Sequence, residues 1–432
     1  MERGTVSHKW RTAATRLSKP TGFSSPPGLE SLVAGGHAEL TAEGLVIPKT
    51  RPTGSEGLML YNIQALRAAA AFLVVLVHLD RLAELAGFGK NATVFGNSGV
   101  DLFFVISGLI MVVTTTERPQ TAGQFLRHRI ARIAPLYWAV TLAVFVLVLA
   151  EPALLQSTSA NPVELVKSLA FIPYPRVDGQ MHPIVFVGWT LNYEMFFYLM
   201  FASGLLFPGK RAGFAFVLGA LVVSVVAGRV VGPQSPVSRF YTQPLLLEFG
   251  GGMVLGLLLT KNLLPAWRTA AIVIGLSAFL LMLASPLIWR DVDRSVVAGL
   301  PALVIVASAL MAERGGLLLN AAWLQLLGAA SYSIYLTHFF STQIVVKIAD
   351  HLGSPGKLEV VALGGGAILL VALVGVIVHR AVELPLTAQA RWLLGGRYKP
   401  LPQAVVASEP ILSGIELHEP GSKLKLSASE LS

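Results

Sequence analysis

The chain has no cysteine among its 432 residues. That excludes disulfides, thiolate metal sites and a cysteine nucleophile, and leaves the compartment open. Charge is also scarce. Asp, Glu, Lys and Arg make up 13% of the sequence, against about 25% in an ordinary soluble domain. So few charges would not cover a soluble fold of this length, so most of the chain must be solvated by lipid. Three chemical signatures are missing as well: a nucleotide-hydrolase glycine loop, a Gly-x-Ser-x-Gly elbow, and a His/Asp/Glu cluster at metal-ligand spacing. No metal site and no permanently bound cofactor are expected. No long internal repeat is visible, which argues against transporter folds built from repeated halves.

What fills the sequence instead is apolar. Hydrophobic residues make up 54%. They gather in stretches near the ~20 residues needed to cross a bilayer. Ten are counted, at about 60–79, 100–116, 134–151, 189–207, 213–230, 241–260, 269–288, 295–312, 325–347 and 358–378. The expected fold is all-α, a polytopic membrane helix bundle of about ten spans. The longest internal loop, 152–188, is too short for a soluble domain. Residues 1–57 are polar and rich in Ser, Thr, Gly and Pro, and read as a disordered tail. Met59, just before the first span, is an alternative start. The membrane domain is expected over 58–385 and a C-terminal tail over 386–432.

The net charge is +9. Basic residues are spread through loops and tails, so they report topology rather than nucleic-acid binding. The cluster Arg127, Arg129 and Arg132 decides the orientation. It is expected to place both termini in the cytoplasm.

Ionisable groups inside spans are costly and often functional. Six stand out: Arg67, His78, Asp101, Glu194, Glu248 and His338. Arg67 and His78 are eleven residues apart, ~1100° of helix, so they share one face about 16 Å apart along the axis. Two readings fit. Either they line a channel, or Arg67 snorkels to the inner headgroups while His78 marks the outer boundary. Asp101 opens span 2 at the depth of His78. It either orients that imidazole as a general base or satisfies free N–H groups at its own helix start. The segment Phe125–Trp138 is read as an inner loop whose three arginines grip phosphates or anchor anionic lipid. Glu194 in span 4 positions a hydroxyl, pairs with a cation, or makes a structural hydrogen bond. Glu248, before Gly250-Gly251-Gly252, reads as structural. His338, after the hydroxyl-rich run Ser331–Thr337, reads as a packing histidine.

Five segments in order resemble the acyltransferase-3 family of bacterial membrane O-acyltransferases. They are Asn62-Ile63-Gln64-Ala65-Leu66-Arg67 with His78; Gly99-Val100-Asp101-Leu102-Phe103-Phe104 with Ser107-Gly108; Arg127-x-Arg129 with Pro135-Leu136-Tyr137-Trp138; Trp189-Thr190-Leu191 with Glu194; and Ser331-Tyr332-Ser333-Ile334-Tyr335-Leu336-Thr337-His338. The opening segment is similar to the branch linked to exopolysaccharide modification (ExoZ-like). The resemblance covers about 60–385. In span 4, Thr190 and Asn192-Tyr193 depart from many relatives, and no esterase-like domain is expected after the bundle.

The resemblance implies transfer of an acyl group, usually acetyl, from cytoplasmic acyl-CoA to a sugar hydroxyl. His78, Asp101 and Glu194 become the catalytic candidates. Arg67, Arg127, Arg129 and Arg132 become acyl-CoA ligands. Ser107, Trp189, Tyr332 and His338 are assigned to the substrate path or to structure. The implied partners are acyl-CoA, a glycan or lipid-linked sugar, the bilayer, and a polysaccharide synthesis or export complex. The competing function is a transporter or flippase for a lipid-linked sugar.

Overall fold

The computed structural model describes residues 39–41, 44–46, 60–89, 92–151, 161–176, 179–288, 292–352 and 356–395. The chain divides into two units, Met1–Glu56 and Gly57–Ser432. In the first, Glu39–Thr41 (β1) and Gly44–Val46 (β2) pair antiparallel, with Thr41 opposite Gly44. The rest of the expected N-terminal tail, and Met59, lie outside the described residues.

The described part of the second unit is helical. Its helices are α1 (Tyr61–Val77), α2 (Asp80–Leu85), α3 (Ser98–Glu117), α4 (Ala122–Ala150), α5 (Pro162–Leu169), α6 (Trp189–Gly204), α7 (Lys210–Val231) and α8 (Pro236–Phe240). They continue with α9 (Leu246–Thr260), α10 (Arg268–Ile288), α11 (Leu300–Arg314), α12 (Ala322–Ala329), α13 (Ser331–His351), α14 (Lys357–Val378) and α15 (Leu384–Leu393). Each apolar stretch counted in the sequence overlaps a helix, and the stretch at 325–347 is divided between α12 and α13. Among the described residues, six helical segments are long and apolar enough to cross a membrane, and α1 and α9 are shorter apolar helices. The last helix, α15, runs into the segment expected as a tail from 386.

The bundle is built around α1 and α3. A helix that is apolar on every side belongs in the interior, and α1 contributes to three apolar clusters, through Val74, through Ile63 and Leu73, and through Ala71 and Val75. The start of α1 is tied down by its own motif. Free N–H groups at a helix start need acceptors, and Glu313 of α11 takes those of Tyr61 and Asn62 at 3.0 and 2.9 Å. The Asn62 amide donates to Ala309 O and Leu317 O and accepts from Leu319 N–H.

Packing separates the inner helices from the outer ones. The apolar window on α3 is 78% buried, against 22% for those on α7, α10 and α14. The low values mark the helices that face lipid. α3 packs most closely on α9, where two glycines let the backbones approach. A Cβ on Gly108 would lie 2.1 Å from Phe249 O, and one on Gly252 would lie 2.0 Å from Val105 O.

Candidate active site

An arginine within an apolar helix needs a polar wall, and α1 turns Arg67 toward a cavity. This cavity is about 350 Å³ and is walled by α1, α3, α4, α6, α12 and α13. Arg67 Nη1 donates to Gln64 Oε1, one turn back, at 3.1 Å.

The segment Phe125–Trp138, read from sequence as a loop, is helical. α4 starts at Ala122 behind a capping box, in which Thr121 Oγ1 accepts from Gln124 N–H and Gln124 Oε1 accepts from Thr121 N–H. Helical geometry then sorts the arginines. Arg129 and Arg132 are three residues apart, nearly one turn, and both line the central cavity. Arg127 is about 200° from Arg129. It lines a second cavity of about 340 Å³, with Arg118, His128 and Arg391. One grip by three arginines is therefore corrected to two separate sites. Thr114 lines both.

Within the central cavity, Arg129 Nη2 donates to Thr114 Oγ1 at 3.0 Å. Its guanidinium stands 5.3 Å from the Phe125 ring centre and 5.9 Å from that of Tyr198. Arg132 Nη1 donates to Glu383 Oε1. The same carboxylate accepts from Ser333 Oγ at 2.6 Å and from His379 Nδ1 at 2.8 Å. Glu194, from α6, also lines the cavity. Its Oε1 accepts from Ser107 Oγ at 2.7 Å and from Tyr198 OH at 2.5 Å. Tyr332 lines the wall and donates to Ile133 O at 2.7 Å.

His78 caps the C-terminal end of α1. Its Nδ1 lies 2.9 Å from Val74 O. A carbonyl only accepts, so Nδ1 carries the proton and Nε2 of the neutral ring keeps its lone pair. The second partner of Nδ1 is His338 Nε2, at 3.2 Å. Phe186 and Phe339 stand edge-on to the His78 ring at 6.3 and 6.2 Å. Tyr335 links this imidazole pair to the cavity: it lines the cavity, and its ring centre is 6.0 Å from that of His338. The Tyr335 hydroxyl donates to Val187 O at 3.0 Å and meets Thr190 Oγ1 at 2.8 Å.

Asp101 does not support His78. Its Oδ2 accepts from Arg294 Nη2 at 2.7 Å. The phase of α3 explains the correction. Asp101 is within about 40° of Val105 and Gly108, the α9-facing stripe, and about 120° from cavity-lining Ser107. Glu248, at the start of α9, is buried on that same side.

Residues 60–379 match the family model described as an acyltransferase domain. The chain belongs to the acyltransferase-3 family. A relative of this acyltransferase is the "exopolysaccharide production protein ExoZ" of Rhizobium meliloti (strain 1021). It is 34% identical over 308 residues, covering 70% of this chain and 93% of that protein. No solved structure matches the chain.

The structure of the acyltransferase brings Arg67, Arg129, Arg132, Ser107, Glu194 and Tyr332 to one cavity. It pairs His78 with His338. It sets Arg127 and Asp101 apart from them, and Trp189 packs against the Tyr193 ring rather than lining the cavity. Sequence reading missed Tyr198, Glu383 and Arg391. Two of these carry a local signal: Tyr198 follows Glu194, and Glu383 follows His379, at the four-residue spacing that puts side chains on one helix face. Arg391 has no such signal.

Proposed function

We propose that this acyltransferase moves an acyl group, in the first instance acetyl, from acyl-CoA to a hydroxyl of an exopolysaccharide sugar or its lipid-linked precursor. The observation that carries this reading is the arrangement along α1. A guanidinium-lined cavity lies at one end and an imidazole with a free lone pair lies at the other, and Tyr335 lines the cavity while neighbouring His338, the partner of that imidazole. The name of the Rhizobium relative supports the glycan class of the acceptor.

In this reading the arginine-rich end faces the cytoplasm of a bacterial inner membrane, with both termini on that side. Arg67 and Arg129 hold the acyl-pantetheine arm in the central cavity. The second cavity, where Arg118, Arg127 and Arg391 converge, receives the phosphates at the nucleotide end, since guanidinium groups match phosphate geometry. Glu194 organises the wall through Ser107 and Tyr198 and offsets the charge of the arginines.

His78 Nε2 takes the proton of the acceptor hydroxyl as its oxygen bonds to the thioester carbonyl carbon. The C–S bond breaks, and the leaving thiolate recovers the proton from Nε2. The products are the sugar ester and the CoA thiol.

The test uses purified protein in nanodiscs, acetyl-CoA labelled in the acetyl group, and the glycan acceptor. Wild type should label the glycan, and well-folded His78→Ala should not. Full transfer by His78→Ala overturns the role of His78. Glycan crossing the bilayer without label overturns the acyltransfer reading in favour of a flippase.

A further inference from the structure

We propose that His338 is a positioning residue that acts through His78, by accepting a hydrogen bond from Nδ1 and stabilising the imidazolium that forms during transfer. The inference rests on the reading that His78 is the general base.

Three observations build it. First, His338 is fully buried on α13, with no solvent to hydrate it. A histidine so placed is costly unless both nitrogens have partners. Second, its Nδ1 lies 2.6 Å from Tyr335 O. That carbonyl only accepts, so His338 Nδ1 carries the proton and Nε2 presents a lone pair. Third, that lone pair faces His78 Nδ1 at 3.2 Å, with the ring planes at 72°.

The proton on His78 Nδ1 is thus shared between Val74 O, within its own helix, and His338 Nε2, from another helix. Val74 alone fixes the tautomer but leaves the ring attached to a single helix end. His338 fixes it from the side, and the neighbouring Tyr335 connects it to the cavity wall.

The arrangement matters most in mid-reaction. When His78 Nε2 takes the acceptor proton, the ring becomes cationic and Nδ1–H becomes a charged donor. A charge-assisted hydrogen bond is roughly twice as strong as a neutral one, so His338 stabilises the transition state more than the resting enzyme. Its own proton stays on Nδ1, held by Tyr335 O. This is the role of an orienting third group behind a base, filled here by a neutral imidazole rather than a carboxylate. Asp101, the carboxylate that the sequence offered for this task, is engaged by Arg294.

The experiment compares wild type, His338→Phe and His338→Gln in nanodiscs, with acetyl-CoA and the glycan acceptor. Phe keeps the ring volume but offers no acceptor, whereas Gln can place an amide oxygen near the Nε2 position. His338→Phe should lose about 10- to 100-fold in kcat, the range for a lost charged hydrogen bond, with KM for acetyl-CoA within about twofold. His338→Gln should recover most of that loss. Wild-type kcat in His338→Phe overturns the proposal, as does equal loss in the Phe and Gln variants. In wild type labelled with ¹⁵N-histidine, NMR should show His338 protonated at Nδ1 only. A proton on Nε2 overturns the proposal without any variant having to fold. If His338→Phe is fully active while His78→Ala is inactive, the inference fails and the base assignment stands. If His78→Ala is active, the base assignment itself fails.

Discussion

Glu194 shows how a single carboxylate is held within the bundle. One of its oxygens accepts from two hydroxyls, Ser107 and Tyr198. Removing a buried acceptor strands its donors, at about 1–3 kcal/mol. Glu194→Ala should therefore lower stability by roughly that amount, measured by thermal unfolding in detergent. Glu194→Gln keeps an acceptor oxygen and should lose clearly less. Equal losses in both variants would show that charge, not hydrogen bonding, is what the site needs. Sequence alone singled out Glu194 because an ionisable group in an apolar span stands out, and Ser107 through the family motif it sits in. It did not reveal that they touch, since they are 87 residues apart on different helices. The same holds for His78 and His338. Each was legible as an ionisable group in a span, but their partnership depends on how α1 and α13 meet.

At the level of the helix, periodicity decides which neighbours in sequence work together. On α4 the 3.6-residue turn sends Arg129 and Arg132 to the central cavity and Arg127 to the other side. α15 then brings Arg391 to the same cavity as Arg127. The double variant Arg127→Ala with Arg391→Ala should raise KM for acetyl-CoA about tenfold or more, the scale of one charged hydrogen bond, with kcat little changed. Steady-state kinetics with acetyl-CoA and its 3′-dephosphorylated form separate phosphate recognition from other effects. An unchanged KM in the double variant would leave this cavity without a role in donor binding. Helical phase also explains the Asp101 correction. The same arithmetic that placed Arg67 and His78 on one face was available for α3. What it lacked was the position of α9, which turns the 101/105/108 stripe away from the cavity.

For the whole molecule, the scarcity of charge becomes an organising constraint. Several of the ionisable groups described in the bundle interior are joined in pairs: Arg132 with Glu383, Arg294 with Asp101, and His78 with His338. The absence of cysteine offers a direct test of topology. Single cysteines at Lys210, the first residue of α7, and at Ser235, just before α8, can be introduced with no background thiol. In the proposed orientation a membrane-impermeant thiol reagent applied to intact cells should label the Ser235→Cys variant and spare the Lys210→Cys variant. The reverse pattern would invert the bundle, and with it the side from which acyl-CoA enters.

The sequence by itself determined the solvent, the helical class and the family, because these follow from composition, from the length of apolar runs and from short motifs read in order. It also determined most of the candidate residues, because an ionisable side chain in lipid is conspicuous wherever it falls. Only the tertiary structure decided which of them meet. It separated Arg127 from Arg129 and gave Asp101 to Arg294. It also set a second imidazole behind His78. The physical reason is that contact between helices depends on rotational phase and on the packing of partners distant in sequence, and at α3 and α9 that packing is set by glycines that admit no side chain.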